Sequence, residues 1–193
     1  SSEPDSLLEY DIIAFDTGPG NVLLNEWAAQ HTGEHLDRDG RLALAGRPKF
    51  EIVEQLMQDP YFNANPPKSL DRNYFHTDAV RHLSPQDGAA TLAQFTVQSI
   101  IAAQHFFPTP AVRWIIAGGG RHNPSLLNPL KKSLPGLITA EQAGWEGDAL
   151  EAQAFAFLAM RSYLGLPISL PTTTGVNRAV TGGAFYRAAA AVR

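Results

Sequence analysis

The sequence predicts an α/β fold. Short apolar runs alternate with segments of helical periodicity, two of those runs end in glycine-rich loops that open helices, and no internal repeat is present. Both loop units read as strand, glycine turn, helix: the first is DIIAFD followed by TGPGN and NVLLNEWAAQHTG, the second VRWIIA followed by GGGRHN and PSLLNPLKKS.

In chain order, DIIAFD reads as a strand. A helix opens near Asn21, turns Val22, Leu23, Trp27 and Ala28 inward, and closes at Gly33. The charged, glycine-containing stretch HLDRDGRLALAG, 35–46, reads as a surface excursion. A helix over FEIVEQLMQ follows, ending before Pro60, and YFNANPPKSLDRNYF reads as loop. Ser84 opens the longest helix: Pro85 suits the first helical position, Asp87 lies three residues after the cap, and Pro108 stops the helix at about Phe106. VRWIIAGGG predicts a β-branched and aromatic strand, and Asn123 or Ser125 caps the helix after it. LIT predicts a short strand. A helix from about Gly147 to Leu164 carries Ala149, Ala152, Ala156 and Ala159 as small residues for close packing, and the tail predicts two glycine turns and a terminal helix.

Composition narrows the classes of function. Hydrophobic content of 44% with 18% charged residues describes a globular chain of 193 residues, enough for one large domain or two small ones. Fifteen Lys and Arg against 19 Asp and Glu, with no block of like charge, leave no electrostatic footprint for nucleic acid or an anionic membrane. The absence of cysteine excludes a disulfide framework and thiolate catalysis. No apolar run approaches the ~20 residues of a membrane span, and SSEPDSLLEY lacks the features of a signal peptide. A cytoplasmic location is expected. The chain opens on Ser1 and Ser2 without an initiator methionine, and a fragment or processed chain is expected from that.

The loop FDTGPGN is the first candidate site. Gly18 and Gly20 carry no Cβ to obstruct a ligand, backbone N–H groups there can point at oxygens, and the following helix N-terminus adds positive potential. Asp16 is then a candidate general base. A tight strand-to-helix turn with Asp16 merely capping it explains the same spacing. GGGRHN, Gly118 to Asn123, is a second close-approach loop, suited to a planar base or ribose with phosphates at the next helix. It has neither GxxxxGK[ST] nor GxGxxG spacing, and glycines for tight strand–helix packing are the alternative. Asp148 and Glu151 lie three apart on one predicted helix, so their carboxylates can share a face around a substrate hydroxyl, or simply complement the helix dipole. Gly33 separates His31 from His35, and no HExxH or GxSxG is present, so no protein metal site or serine elbow is expected. Lys68 and Arg72 can reach an anion, although solvated loop charges are commoner.

Five segments, FDTGPGN, PPKSLDRNYF, IIAGGGRHNPSLL, GDALEAQAFAFLAMR and LPTTTG, together resemble the anhydro-N-acetylmuramic acid kinase family in wording, order and spacing from about Asp11 to Tyr186. GGGRHN stands where GGGAxN is more frequent, and TTTGVNRAVTGG diverges from the usual TGA ending. The family belongs to the sugar kinase, heat-shock chaperone and actin superfamily. The resemblance therefore implies a ribonuclease-H-like (actin-like ATPase) lobe, a mixed sheet flanked by helices. Residues 1–193 match the C-terminal lobe, with 34–83 a loop and helical insertion. The family's N-terminal half, with its GTSxDG-like phosphate segment, has no counterpart in these residues, so the chain is expected to be inactive alone.

The activity implied is ATP-dependent hydrolytic opening of the 1,6-anhydro ring of anhydro-N-acetylmuramic acid with phosphorylation at O6, in peptidoglycan recycling. In that reading Asp16 is the base; Thr17, Gly18, Gly20 and Asn21 bind phosphate; Gly118, Gly119, Gly120 and Asn123 bind the nucleotide; and Glu151 lies near the sugar. ATP and Mg²⁺ are implied, the ion being held mainly by ATP and water. The missing lobe and a second copy in a homodimer are the implied partners. A non-catalytic, actin-like nucleotide-binding module is the alternative, and an isolated structural domain with packing glycines is a weaker third.

Overall fold

The computed structural model describes residues 12–186, which separate into two compact units, one of residues 16–65 and 69–148 and a smaller one of 12–15, 66–68 and 149–186. Both contain helix and strand pairing, which makes the fold α/β, and each is described by itself.

In the larger unit the helices in chain order are α1 (Val22–Thr32), α2 (Arg41–Leu44), α3 (Phe50–Leu56), α4 (Pro85–Ala102) and α5 (Pro124–Ser133). α4 is the axis of the core. It packs against α1, α2, α3 and α5, and Leu92, Ala93, Phe95 and Val97 are all almost fully buried there. Small residues make this many-sided packing feasible: a Cβ at Gly88 would lie 2.4 Å from the Trp27 ring, whose Nε1 donates to the Pro85 carbonyl at 2.8 Å. Phe62, Phe75 and Phe95 form an aromatic cluster with centroids 5.1–5.7 Å apart, Phe62 stacked on Phe75 and both edge-on to Phe95. The Ser84 hydroxyl caps α4 by accepting from the Asp87 N–H at 3.1 Å. Ser84→Ala is expected to cost about 1 kcal/mol in urea unfolding, the usual value of an N-cap.

The only named strands among the described residues are β1 (Trp114–Ile116) and β2 (Leu137–Thr139), a parallel pair with Trp114 opposite Leu137 and Ile116 opposite Thr139. With α5 between them they form a βαβ unit, whose glycine loop leaves the carboxyl end of β1. Ligands in open α/β folds gather at that end of the strands.

Several expectations change. Asp11 lies outside the described residues. Residues 12–16 form no strand; Ala14 N–H reaches the Thr172 carbonyl at 3.2 Å, but β structure needs a ladder on a neighbour, and no described segment supplies one. Among the described residues the strand pairing is that parallel pair and, in the smaller unit, one antiparallel bridge, Ser169 to Val180. Residues 35–46 lie largely at the surface, as expected, but they are anchored. α2 packs on α4, and the buried Asp37 carboxylate accepts from the Leu42 and Ala43 N–H groups at 2.8 and 3.0 Å. That satisfies two orphan donors at the start of a short helix. α4 ends at Ala102 and tightens into a 3₁₀ turn, Ala103–Phe106, as a helix approaching Pro108 must.

The smaller unit holds α6 (Leu150–Tyr163) and α7 (Pro171–Thr174). α6 begins three residues later than expected and buries none of its residues, so Ala152, Ala156 and Ala159 are exposed rather than closely packed. Composition states what a helix face can accommodate, not what the fold brings against it. Arg161 Nε donates to the Pro167 carbonyl at 2.6 Å, and Ser162 bonds to the Gly182 carbonyl. Gly175 and Gly183 supply the two expected glycine turns with positive φ. The terminal helix expected after them lies outside the described residues.

Candidate active site

Asp16 begins the loop that leads into α1, and a segment remote in sequence holds it at two atoms. The Leu70 N–H donates to its Oδ2 at 2.8 Å and the Tyr61 hydroxyl donates to its carbonyl at 2.7 Å. Tyr61 sits in a 3₁₀ turn, Pro60–Asn63, opened by Asp59, whose Oδ1 accepts from the Tyr61 N–H at 2.8 Å and from the Tyr74 hydroxyl at 3.1 Å. Phe62, next in the chain, is part of the aromatic cluster, so the Asp16 anchor is rooted in the core. A polar-edged cavity of about 310 Å³ opens here, lined by Asp16, Gly18, Pro19, Val22, Leu70, Asp71, Arg72 and Phe75.

Burial, and secondarily the negative charge of Asp16, push the Tyr61 phenol from its ordinary value near 10 up to about 12. The phenol remains a donor throughout the neutral range. A raised folded value favours the protonated form, so this contribution to stability is complete below pH 10 and is lost as pH rises through about 12. Difference absorbance should therefore show one tyrosine resisting ionisation until about pH 12, and should lose that phase in Tyr61→Phe.

The two glycine loops meet. A Cβ on Gly120 would lie 3.2 Å from Asn21 Oδ1 and 3.3 Å from its Nδ2, so the Asn21 amide rests against the bare Cα of Gly120. Asn21 stands at the N-cap position of α1 without a side-chain cap bond. The Gly20 carbonyl accepts from Thr96 Oγ1 at 2.7 Å, which fastens the first loop to α4. Gly18 serves packing, because a Cβ there would strike Ser99 Oγ at 2.4 Å; Thr17 is half-buried beside it. Gly118 has φ 73°, a conformation that side chains resist, and both it and Gly119 face open space.

Asn123 is buried and caps α5: its Oδ1 accepts from the Ser125 N–H at 2.9 Å and the Ser125 hydroxyl at 2.7 Å. It therefore shapes the helix N-terminus rather than projecting an amide from it. The buried Arg121 clamps the second loop. Its Nη1 donates to the Gly118 carbonyl at 2.9 Å, Nε to Glu141 at 2.8 Å and Nη2 to Asp148 at 2.5 Å. The Arg121 guanidinium holds the Asp148 carboxyl below the usual range, and Glu141 is lowered first by its own backbone N–H and then by Arg121.

The expected pairing of Asp148 with Glu151 on one helix face is thus corrected. α6 starts at Leu150, so Asp148 precedes the helix and its carboxylate is engaged by Arg121. Glu151 lies exposed in the first turn of α6, within the smaller unit. Lys68, in that same unit, lies over the Phe15 ring at 5.8 Å, with its ammonium pKa lowered by burial. His31 packs on Trp27 at 4.1 Å on α1, which ends at Thr32 and leaves His35 off the helix. Among the described residues no group of three or more His, Cys, Asp or Glu side chains can hold a metal ion, and no helix is long and apolar enough to cross a membrane.

Tyr61, Leu70 and Arg121 escaped sequence reasoning. Residue 61 lies 45 positions from Asp16 and Leu70 contributes only its backbone, so no spacing rule links them. The arginine inside GGGRHN was the one available signal, since a charge embedded in a glycine loop needs partners.

A carboxylate stands at a cavity edge beside two glycine loops that lead toward helix N-termini, and such groups are chemically able to accept oxyanions and take up a proton beside them. The model of the family described as anhydro-N-acetylmuramic acid kinase matches residues 6–188, and the chain belongs to that family. It is 48% identical over 179 residues to the anhydro-N-acetylmuramic acid kinase of Paramagnetospirillum magneticum, covering 91% of this chain and 50% of that protein. It is 47% identical to the enzyme so named from Rhodospirillum rubrum, covering 92% and 48%, and 50% identical to that of Gluconobacter oxydans, covering 88% and 47%. The chain spans about half the length of these curated relatives.

Proposed function

We propose that the chain is the C-terminal lobe, ribonuclease-H-like in fold, of an ATP-dependent kinase that converts anhydro-N-acetylmuramic acid into N-acetylmuramic acid 6-phosphate. The observation that carries this reading is the Asp16 carboxylate, oriented by Leu70 N–H at the edge of a cavity that begins the first glycine loop, in a chain of this family.

The reaction needs a base on one side of the sugar and phosphates on the other. Water adds to C1 and gives its proton to Asp16 while the C1–O6 bond breaks. The electron pair left on O6 forms the new bond to the γ-phosphorus of ATP, and ADP departs. Holding water, sugar and phosphate in line accounts for much of the acceleration. The half-buried Thr17, the Gly18 to Asn21 loop and the α1 N-terminus receive phosphate oxygens. Gly118 to Gly120 lie flat against the nucleotide, clamped by Arg121, with Asn123 acting through the α5 cap. Glu151 would approach the sugar. Mg²⁺ would arrive with the ATP, held mainly by its phosphates and water.

The test is phosphate transfer from ATP to anhydro-N-acetylmuramic acid by this chain alone and by a chain extended to the length of its relatives. Turnover only in the extended protein supports a lobe of a two-lobe kinase. Turnover by residues 1–193 alone defeats the two-lobe requirement, and nucleotide binding without turnover in the extended protein favours a non-catalytic module.

A further inference from the structure

The cavity at Asp16 carries an electrostatic problem that the proposed substrate makes acute. Its lining includes two carboxylates, Asp16 and Asp71, and a single cation, Arg72. Anhydro-N-acetylmuramic acid is itself an anion at neutral pH, because its lactyl ether ends in a carboxylate. An anionic sugar brought beside two acids is repelled unless a cation faces it. Arg72 is suitably available: it is exposed and forms no ion pair among the described residues. In contrast, the buried Arg121 is consumed by Glu141 and Asp148.

Position also favours Arg72. Leu70, two residues before it, donates its N–H to Asp16 Oδ2 at 2.8 Å, so the loop bearing the guanidinium is registered against the base itself. Phe75, three residues after it, is buried in the aromatic cluster and closes the other end of the same segment. The cavity volume of about 310 Å³ suits a small polar ligand at the lower end of known sites. Planar guanidinium is the group that matches a carboxylate with two parallel hydrogen bonds.

Building on the proposed function, we infer that Arg72 is a specificity-determining residue that receives the lactyl carboxylate of the sugar, and thereby selects a muramic acid over its neutral glucosamine counterpart. The experiment uses the extended protein with two sugars, anhydro-N-acetylmuramic acid and anhydro-N-acetylglucosamine, measuring binding by calorimetry and turnover with ATP for the parent, Arg72→Met and Arg72→Lys. For Arg72→Met the expected result is a loss of about 10- to 100-fold in kcat/KM and affinity for the carboxylate sugar, the scale of a charge-assisted hydrogen-bond pair. The neutral sugar should be little affected, and Arg72→Lys should recover part of the loss. An equal loss for both sugars overturns the inference, as does a raised KM for ATP with sugar selectivity unchanged, which would assign Arg72 to a phosphate. A parent that turns over both sugars without preference overturns the subsite while leaving the kinase reading intact. A folded parent that binds neither sugar overturns both.

Discussion

In the protein extended to the length of its relatives, Asp16→Asn lowers turnover by about 10²- to 10⁴-fold, the span attributed to a positioned general base, while nucleotide affinity stays largely unchanged. Asparagine is nearly isosteric, and its amide oxygen can still accept from the Leu70 N–H that holds Oδ2 in the parent. The Tyr61 hydroxyl bonds to the backbone carbonyl of residue 16 and is indifferent to the substitution. The loop thus retains its path, and what disappears is the basic carboxylate that takes the proton from water in the proposed reaction. A fall in kcat and kcat/KM together, with nucleotide dissociation constants unaltered, is the signature of an interaction made in the transition state. Unaltered turnover would remove Asp16 from the chemistry and assign the base to another group.

Phe95→Ala destabilises the larger unit by about 3–5 kcal/mol, the usual cost of truncating a fully buried aromatic residue. The side chain is completely buried on α4 and receives Phe62 and Phe75 edge-on at 5.7 and 5.1 Å. Its removal leaves a cavity that rigid rings cannot collapse into, and edge-to-face contacts are lost as well. Because Phe62 continues from Tyr61 and Phe75 borders the Asp16 cavity, activity should fall at temperatures below the unfolding transition. Urea unfolding followed by circular dichroism measures the first effect. A change below about 1 kcal/mol, the level of ordinary surface substitutions, would mean that neighbouring rings refill the space.

The parts of the fold that were legible share one property: their cause is local. α1 begins and ends where TGPGN and Gly33 demand, Ser84 caps α4 through a contact three residues long, and Asn123 caps α5 through Ser125. Two glycine loops opening helices were evident for the same reason. The strand over DIIAFD and the alanine packing of α6 were different. Each depends on a neighbour from elsewhere, and local pattern states only readiness for one.

For this protein, sequence by itself determined the ends of α1 and the caps that open α4 and α5, the two close-approach loops, the family and the identity of Asp16 as a candidate base, since these rest on caps, backbone freedom and five ordered motifs. Tertiary structure alone decided that Tyr61 and Leu70 grip Asp16, that Asn21 lies against Gly120, that Arg121 engages Asp148, and that Arg72 shares the Asp16 cavity. The physical reason is distance along the chain: hydrogen bonds and ion pairs form wherever packing of the core places their partners, and nothing in the spacing of residues 16, 61 and 70 records that the aromatic cluster will fold them together.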